Sequence, residues 1–323
     1  MDIFLQILLL LFGFALLIKG ADWFVDGAAG IATKMSIPQI VIGLTIVALG
    51  TSAPEAAVSI TAALQNNGGI TVGNVLGSNI LNIFLILGIT SIITPVAVKP
   101  NTIKVEMPFL IFLSILFPVL GFIGYSLGLI DGIILWIILL AFLIYLVMIS
   151  RSEKPINKPE EIDAPIPQGG LKNKWWFMFL ITIIGLTLII IGSNFTVNSA
   201  TFIAKTFGVS DRIIGLTIVA FGTSLPELVT SAIAAKKGNN DIAIGNIVGS
   251  NIFNILFVAG TSALITSVNF DLSFILDNVV SVAAAIILLL CCLRKKKLTR
   301  FGGIILLLCY GVYFSYLLFT NIY

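Results

Sequence analysis

The sequence predicts an all-α polytopic membrane protein of ten transmembrane helices, built as two inverted-topology five-helix repeats. Three observations predict it: a scarcity of charge, ten apolar stretches of spanning length, and a self-match at an offset of 172 residues. Of 323 residues, 58% are apolar and 10% are Asp, Glu, Lys or Arg; soluble domains carry roughly a quarter charged residues. Mean hydropathy is +1.12. In water such a chain would be coated in apolar surface and would aggregate. A soluble enzyme, a nucleic-acid binder and a disordered chain are excluded.

A bilayer core about 30 Å thick takes roughly 20 apolar residues per helix. Stretches of that kind lie at 3–22, 37–64, 70–93, 105–126 and 129–150, and again at 176–197, 209–235, 242–266, 274–293 and 302–321. The N-terminus begins Met1-Asp2-Ile3 with no basic segment, so 3–22 reads as a mature span and not as a cleaved leader. Between the two groups of five lies one long polar break. It carries Pro155, Pro159, Pro165 and Pro167 with both charge signs, and reads as a solvated linker over 151–174. The expected units are therefore 1–150, the linker 151–174, and 175–323.

Orientation follows from the basic residues. With the linker in the cytosol and both termini outside, sixteen of the eighteen Lys and Arg fall on the inner side, and only Lys205 and Arg212 on the outer. Trp175 and Trp176 beside Lys174 form an expected interfacial anchor. The expected location is the cell (plasma) membrane, with lipid as surroundings and neither nucleic acid nor an obligatory protein as partner.

The self-match joins the two halves. Gly43–Glu55 reads GLTIVALGTSAPE and Gly215–Glu227 reads GLTIVAFGTSLPE, with eleven of thirteen positions identical. Gly73–Asn82 reads GNVLGSNILN and Gly245–Asn254 reads GNIVGSNIFN, with seven of ten identical. The identities are polar and small residues, which chance similarity of two apolar helices does not produce. Five is odd, so the second copy enters the membrane in the opposite sense, a construction common in secondary transporters that places the binding site at the midplane.

Charge placement then isolates the candidate site. Thirteen of the fifteen acids fall in loops or near span ends; Glu55 and Glu227, partners in the repeat, sit near mid-span. Ionised carboxylates at that depth are costly and mark transport pathways. Pro54 and Pro226 have no N–H, which leaves the carbonyls of Gly50 and Gly222 without helical partners. Such carbonyls need a polar neighbour or a cation. Thr51 and Ser52 add hydroxyls. On the next span Asn74, Ser78 and Asn82 are four apart, as are Gly73 and Gly77; Asn246, Ser250, Asn254, Gly245 and Gly249 repeat the pattern. The alternative reading of these Asn and Ser residues is helix-to-helix glue.

Histidine is absent and Cys291, Cys292 and Cys309 lie in apolar runs. That removes imidazole catalysis and makes a disulfide framework or thiolate metal site a poor reading. Two carboxylates with hydroxyl, amide and carbonyl oxygens suit hard cations such as Ca²⁺ and Na⁺ over Zn²⁺ or copper.

At these motifs the sequence resembles the cation/calcium antiporter superfamily, specifically the prokaryotic-type sodium/calcium exchangers, whose two α-repeats the paired segments match. The resemblance implies a secondary transporter and not an enzyme, with Ca²⁺ and Na⁺ as transported ions, no cofactor, and spans 1 and 6 sliding over the remaining core. It implies Glu55 and Glu227 as central shared ligands. Thr51, Ser52, Thr223 and Ser224 would supply hydroxyl or carbonyl oxygens, and Ala48 and Ala220 carbonyls toward flanking sodium sites. Ser78, Ser250, Asn82 and Asn254 would complete the cage. Members often carry Asp at one of the two positions held here by Asn82 and Asn254; both are amides in this chain, so the site holds two fixed negative charges, those of Glu55 and Glu227. A proton- or potassium-dependent calcium antiporter is the nearest rival. The third span has no acid after Gly73-Asn74, where proton-coupled relatives tend to place one. A channel and an intramembrane protease are more distant; an inverted repeat argues against the first, and the lack of an aspartate pair, a Ser/His arrangement or HExxH against the second.

Overall fold

The computed structural model describes residues 3–64, 68–152, 174–207 and 220–322. Most of the linker, with Lys154, Lys158 and Lys172, lies outside the described residues, as do Arg212 and the start of the second long motif, 215–219. The elements are α1 (Ile3–Lys34), α2 (Gln39–Thr51 and Ala53–Leu64), α3 (Gly68–Ile93), α4 (Thr102–Phe122) and α5 (Leu129–Ser152). Then come α6 (Trp175–Thr206), α7 (Ala220–Thr223 and Leu225–Lys236), α8 (Asn240–Ile265), α9 (Leu272–Leu293) and α10 (Arg300–Ile322). Among the described residues eight of these are long and apolar enough to cross a membrane, and α2 makes a ninth if its two arms form one span. The chain is an all-α, multi-pass integral membrane protein.

Helix α1 runs some ten residues beyond its apolar stretch, through Asp22, Asp26 and Lys34. No proline falls in 23–33, and the helix tolerates Gly27 and Gly30. The stop comes at Ser36, whose φ of 53° is left-handed, followed two residues later by Pro38. Helix α6 overruns in the same way, to Thr206. The two pack along much of their length, antiparallel: Gly13 meets Gly192, Gly20 meets Gly185, and Gly27 meets Met178. A Cβ on Gly20 would lie 2.8 Å from the Gly185 carbonyl oxygen, so the backbones touch only because both residues lack one.

The centre of the bundle is α8, buried almost throughout, and α3, buried over most of its length. The outer helices bury one side and expose Leu11, Ile137, Ile144, Leu308 and Phe319 on the other, as lipid-facing surfaces do. Helices α2 and α8 approach closely at Gly249, where a Cβ would stand 2.9 Å from the Leu44 Cα. Two short antiparallel pairs close the loops. β1 (Val96–Ala97), between α3 and α4, pairs with β4 (Lys297–Leu298), between α9 and α10; β2 (Ser126–Leu127) pairs with β3 (Val268–Asn269). The sequence pattern did not signal these strands, because two residues carry no alternation.

One polar contact ties α1 to the end of α7. Lys237 Nζ reaches Asp22 Oδ1 at 2.7 Å and Asp26 Oδ1 at 2.6 Å, and Lys19 adds a 3.1 Å pair to Asp22. The counterparts of Asp22, Asp26 and Lys237 in the other half are Asn194, Asn198 and Gln65, so the charges are not duplicated. These side chains are part exposed, and such pairs contribute about 1 kcal/mol or less. Lys237→Gln is expected to lower the melting temperature in detergent slightly, with the difference shrinking as salt is raised.

Candidate cation site

The site begins with two broken helices. Helix α2 stops at Thr51, passes through Ser52 at φ −81°, ψ 8°, and resumes at Ala53, bent by 53°. Ser224 in α7 adopts φ −92°, ψ 5° between Thr223 and Leu225. Both serines stand two residues before a proline, whose ring and missing N–H favour a kink or break there. The break falls at Ser52 and Ser224, two residues beyond Gly50 and Gly222. Each glutamate therefore lies in the first turn of a new helix, beside that helix's N-terminal end.

The two halves meet through these residues. The Ser52 hydroxyl donates to Glu227 Oε1 at 2.9 Å, and the Ser224 hydroxyl donates to Glu55 Oε1 at 2.9 Å. Glu55 is 1% exposed and Glu227 0%. Each carboxylate has its second oxygen, Oε2, buried with no hydrogen-bond partner. The Thr51 hydroxyl faces Asn246 Oδ1 at 3.0 Å. Thr223 lies beside Glu55. Asn74 donates to the Glu55 carbonyl and to Ser59 Oγ, and Asn246 to the Glu227 carbonyl and Ser231 Oγ. Asn74 and Asn246 thus brace the backbone that carries the acids, the glue role the sequence left open.

Asn82 and Asn254 are buried and each opens a π-helical turn, Asn82–Leu87 and Asn254–Ala259. Such turns insert an extra residue, re-aim the side chains that follow, and gather at functional sites. Both amides give their Nδ2 away and leave Oδ1 buried and unpartnered. Ser250 sits beside Glu227, its hydroxyl without a well-formed hydrogen bond, and Ser78 is buried on α3. The Ala48 carbonyl accepts the Ser52 N–H at 3.0 Å and faces the Thr51 hydroxyl at 3.4 Å, so it is already engaged inside the helix. A carbonyl has a second lone pair, which a cation could still use. Ala220 opens the described part of α7.

Asn79, Asn251 and Glu106 are buried polar residues that the sequence pattern does not mark as ligands. Asn79 and Asn251 lie one residue off the 74/78/82 stripe, although the identical GSN triplets contain them. Glu106, placed near a span end, is 2% exposed and accepts a 2.8 Å hydrogen bond from Tyr145. The three cysteines are free thiols.

Helices broken near paired prolines hold two buried carboxylates where the two halves of an apolar bundle meet, the kind of group that marks an ion pathway in a membrane. The family model described as sodium/calcium exchanger protein matches residues 5–150 and 177–319, and the chain belongs to that family. It is 41% identical over 318 residues to the putative antiporter CaxA of Alkalimonas amylolytica, covering 96% of this chain and 98% of that one. It is 33% identical to the sodium/calcium exchanger MaX1 of Methanosarcina acetivorans, covering 94% and 95%. A solved structure of the sodium-calcium exchanger NCX_Mj, soaked with 2.5 mM Na⁺ and 0.1 mM Sr²⁺, superposes with a TM-score of 0.83 at 32% identity, over 97% of this chain and 99% of that one.

Proposed function

We propose that this antiporter exchanges Na⁺ for Ca²⁺ by alternating access, with both ions bound around Glu55 and Glu227. The observation that carries the reading is a set of buried oxygens with no partner: Oε2 of Glu55 and Glu227, Oδ1 of Asn82 and Asn254, and Oγ of Ser250. Buried acceptors in a protein interior are normally satisfied. Two carboxylates that accept from neutral hydroxyls across the two halves keep negative charge for a ligand to neutralise. An all-oxygen donor set suits hard cations. Thr51, Ser52, Thr223, Ser224 and Ser78, with the carbonyls of Ala48 and Ala220, complete the proposed ligand set.

The architecture we propose around it has ten spans, in repeats over 1–150 and 175–323, with a cytosolic linker over 151–174, both termini outside and the cell membrane as location. The antiparallel packing of α1 on α6, which occupy equivalent places in the repeat, supports the inversion. So do the strands: the α3–α4 loop pairs with the α9–α10 loop, and not with its own counterpart between α8 and α9.

Moving an empty site past an apolar gate would carry two uncompensated carboxylates through a low-dielectric region, at a cost of several kcal/mol per ion. One Ca²⁺, or Na⁺ ions in its place, removes that charge. Only loaded forms then cross, which is what coupling requires. Sodium is favoured by the names of relatives: MaX1 is a sodium/calcium exchanger, and NCX_Mj was soaked with Na⁺ and with Sr²⁺ or Ca²⁺. The test is calcium uptake into vesicles under imposed sodium, potassium and proton gradients in turn. Uptake driven by outward sodium alone is expected. Uptake that ignores sodium and follows protons or potassium would replace this reading with the proton- or potassium-coupled one.

A further inference from the structure

We propose that Asn79 and Asn251 are positioning residues that hold the amides of Asn82 and Asn254 with their oxygens toward the cation. This rests on the cation-site reading above. The four asparagines form a closed set of hydrogen bonds between α3 and α8. Asn79 Nδ2 donates to the Asn251 backbone carbonyl at 3.3 Å, and Asn251 Nδ2 donates to the Asn79 carbonyl at 3.1 Å. Asn254 Nδ2 donates to Asn79 Oδ1 at 3.1 Å, and Asn82 Nδ2 donates to Asn251 Oδ1 at 2.9 Å.

The direction of every bond follows from its first member. A backbone carbonyl can only accept, so the Asn79 atom facing it must be nitrogen. The other end of the Asn79 amide is then oxygen, which also can only accept. Asn254 must answer with its nitrogen, and its own oxygen is left over. The same chain of constraint runs from the Asn79 carbonyl through Asn251 to Asn82. The two oxygens left over, Asn82 Oδ1 and Asn254 Oδ1, are the two amide atoms at this crossing that are buried without partners.

An amide that is not anchored can turn, and the turned form offers a cation an NH₂ group instead of an oxygen. Asn79 and Asn251 prevent this without touching the ion. The ligand oxygen on one half of the chain is thereby set by a backbone carbonyl of that same half, relayed through an asparagine of the other: Asn82 takes its orientation from Asn251, which is itself pinned to Asn79. The arrangement makes ligand orientation conditional on contact between α3 and α8.

The experiment is a cycle of variants with calcium uptake as the readout. Asn79→Ala is expected to raise the half-saturating calcium concentration by about tenfold, as loss of a group that orients a metal ligand commonly does, with the maximal rate little changed. In an Asn254→Asp background there is no amide to turn, since a carboxylate presents oxygen at both positions. There the carboxylate oxygen that replaces Nδ2 opposes Asn79 Oδ1, itself an acceptor, so adding Asn79→Ala to Asn254→Asp removes no hydrogen bond and is expected to leave half-saturation at or below the value of Asn254→Asp alone. An equal rise in both backgrounds would mean that Asn79 matters only for packing, and would overturn the proposal, as would no rise in the first. If Asn79→Ala does not reach the membrane folded, Asn251→Ala with and without Asn82→Asp closes the same cycle. A parent protein that moves no calcium at all would instead overturn the functional reading beneath it.

Discussion

Glu55→Gln and Glu227→Gln are each expected to reduce calcium uptake to the level of empty vesicles. Glutamine keeps the size of the side chain and an oxygen that can accept from Ser224 or Ser52, so the bonds across the two halves survive. What is lost is one of two charges. At an effective dielectric near 20, a unit pair 4 Å apart is worth about 4 kcal/mol. Half of that, ~2 kcal/mol, already costs roughly thirtyfold in binding, and a divalent ion feels each charge twice over. Stability is expected to move the other way. In the absence of cation each glutamate is a buried acid with an unpartnered oxygen, and neutralising it relieves desolvation and repulsion. A melting temperature in calcium-free detergent at or above that of the parent, together with lost uptake, is the expected pair of results. Lost uptake with a lowered melting temperature would point to a structural role.

Gly20→Leu is expected to have the largest effect on folding. A Cβ there stands 2.8 Å from the Gly185 carbonyl oxygen and 2.8 Å from the Ile189 backbone nitrogen. Those are backbone atoms of α6, which cannot swing aside as a side-chain tip can. Three further carbons would force α1 and α6 apart along the most extensive helix contact among the described residues. Overpacking a well-fitted contact costs about 1–3 kcal/mol, and more where nothing yields. A fall in melting temperature well beyond that of Lys237→Gln, with reduced yield of folded protein, is the expected outcome. Gly311, with nothing within 4 Å of its Cβ position, is the matched control.

Much of this was legible in the sequence because the bilayer imposes long apolar runs and punishes stray charge. The apolar runs stood out, and so did Glu55 and Glu227, acids away from the span ends on duplicated motifs. The extents of α1 and α6 could not be read, since a helix continues past the apolar core when no proline stops it, and 23–33 contains none. The break at Ser52, instead of Gly50, is a local steric effect of Pro54 on the residues before it. Asn79 and Asn251 were hidden for a geometric reason. A four-residue stripe predicts which side chains share one face, whereas these two act across helices, and that crossing exists only once α3 and α8 are packed. The π-helical turns at Asn82 and Asn254 have no sequence signature.

The claim that Glu55 and Glu227 jointly hold a cation is tested most directly by locating one. Anomalous diffraction from crystals grown with Sr²⁺ in place of Ca²⁺ is expected to give one strong peak in coordination contact with an oxygen from each glutamate, slightly beyond the ~2.3–2.6 Å that the smaller Ca²⁺ takes, and abolished in Glu55→Gln. A protein that transports calcium while its strongest bound-cation peak lies away from both carboxylates would contradict the account.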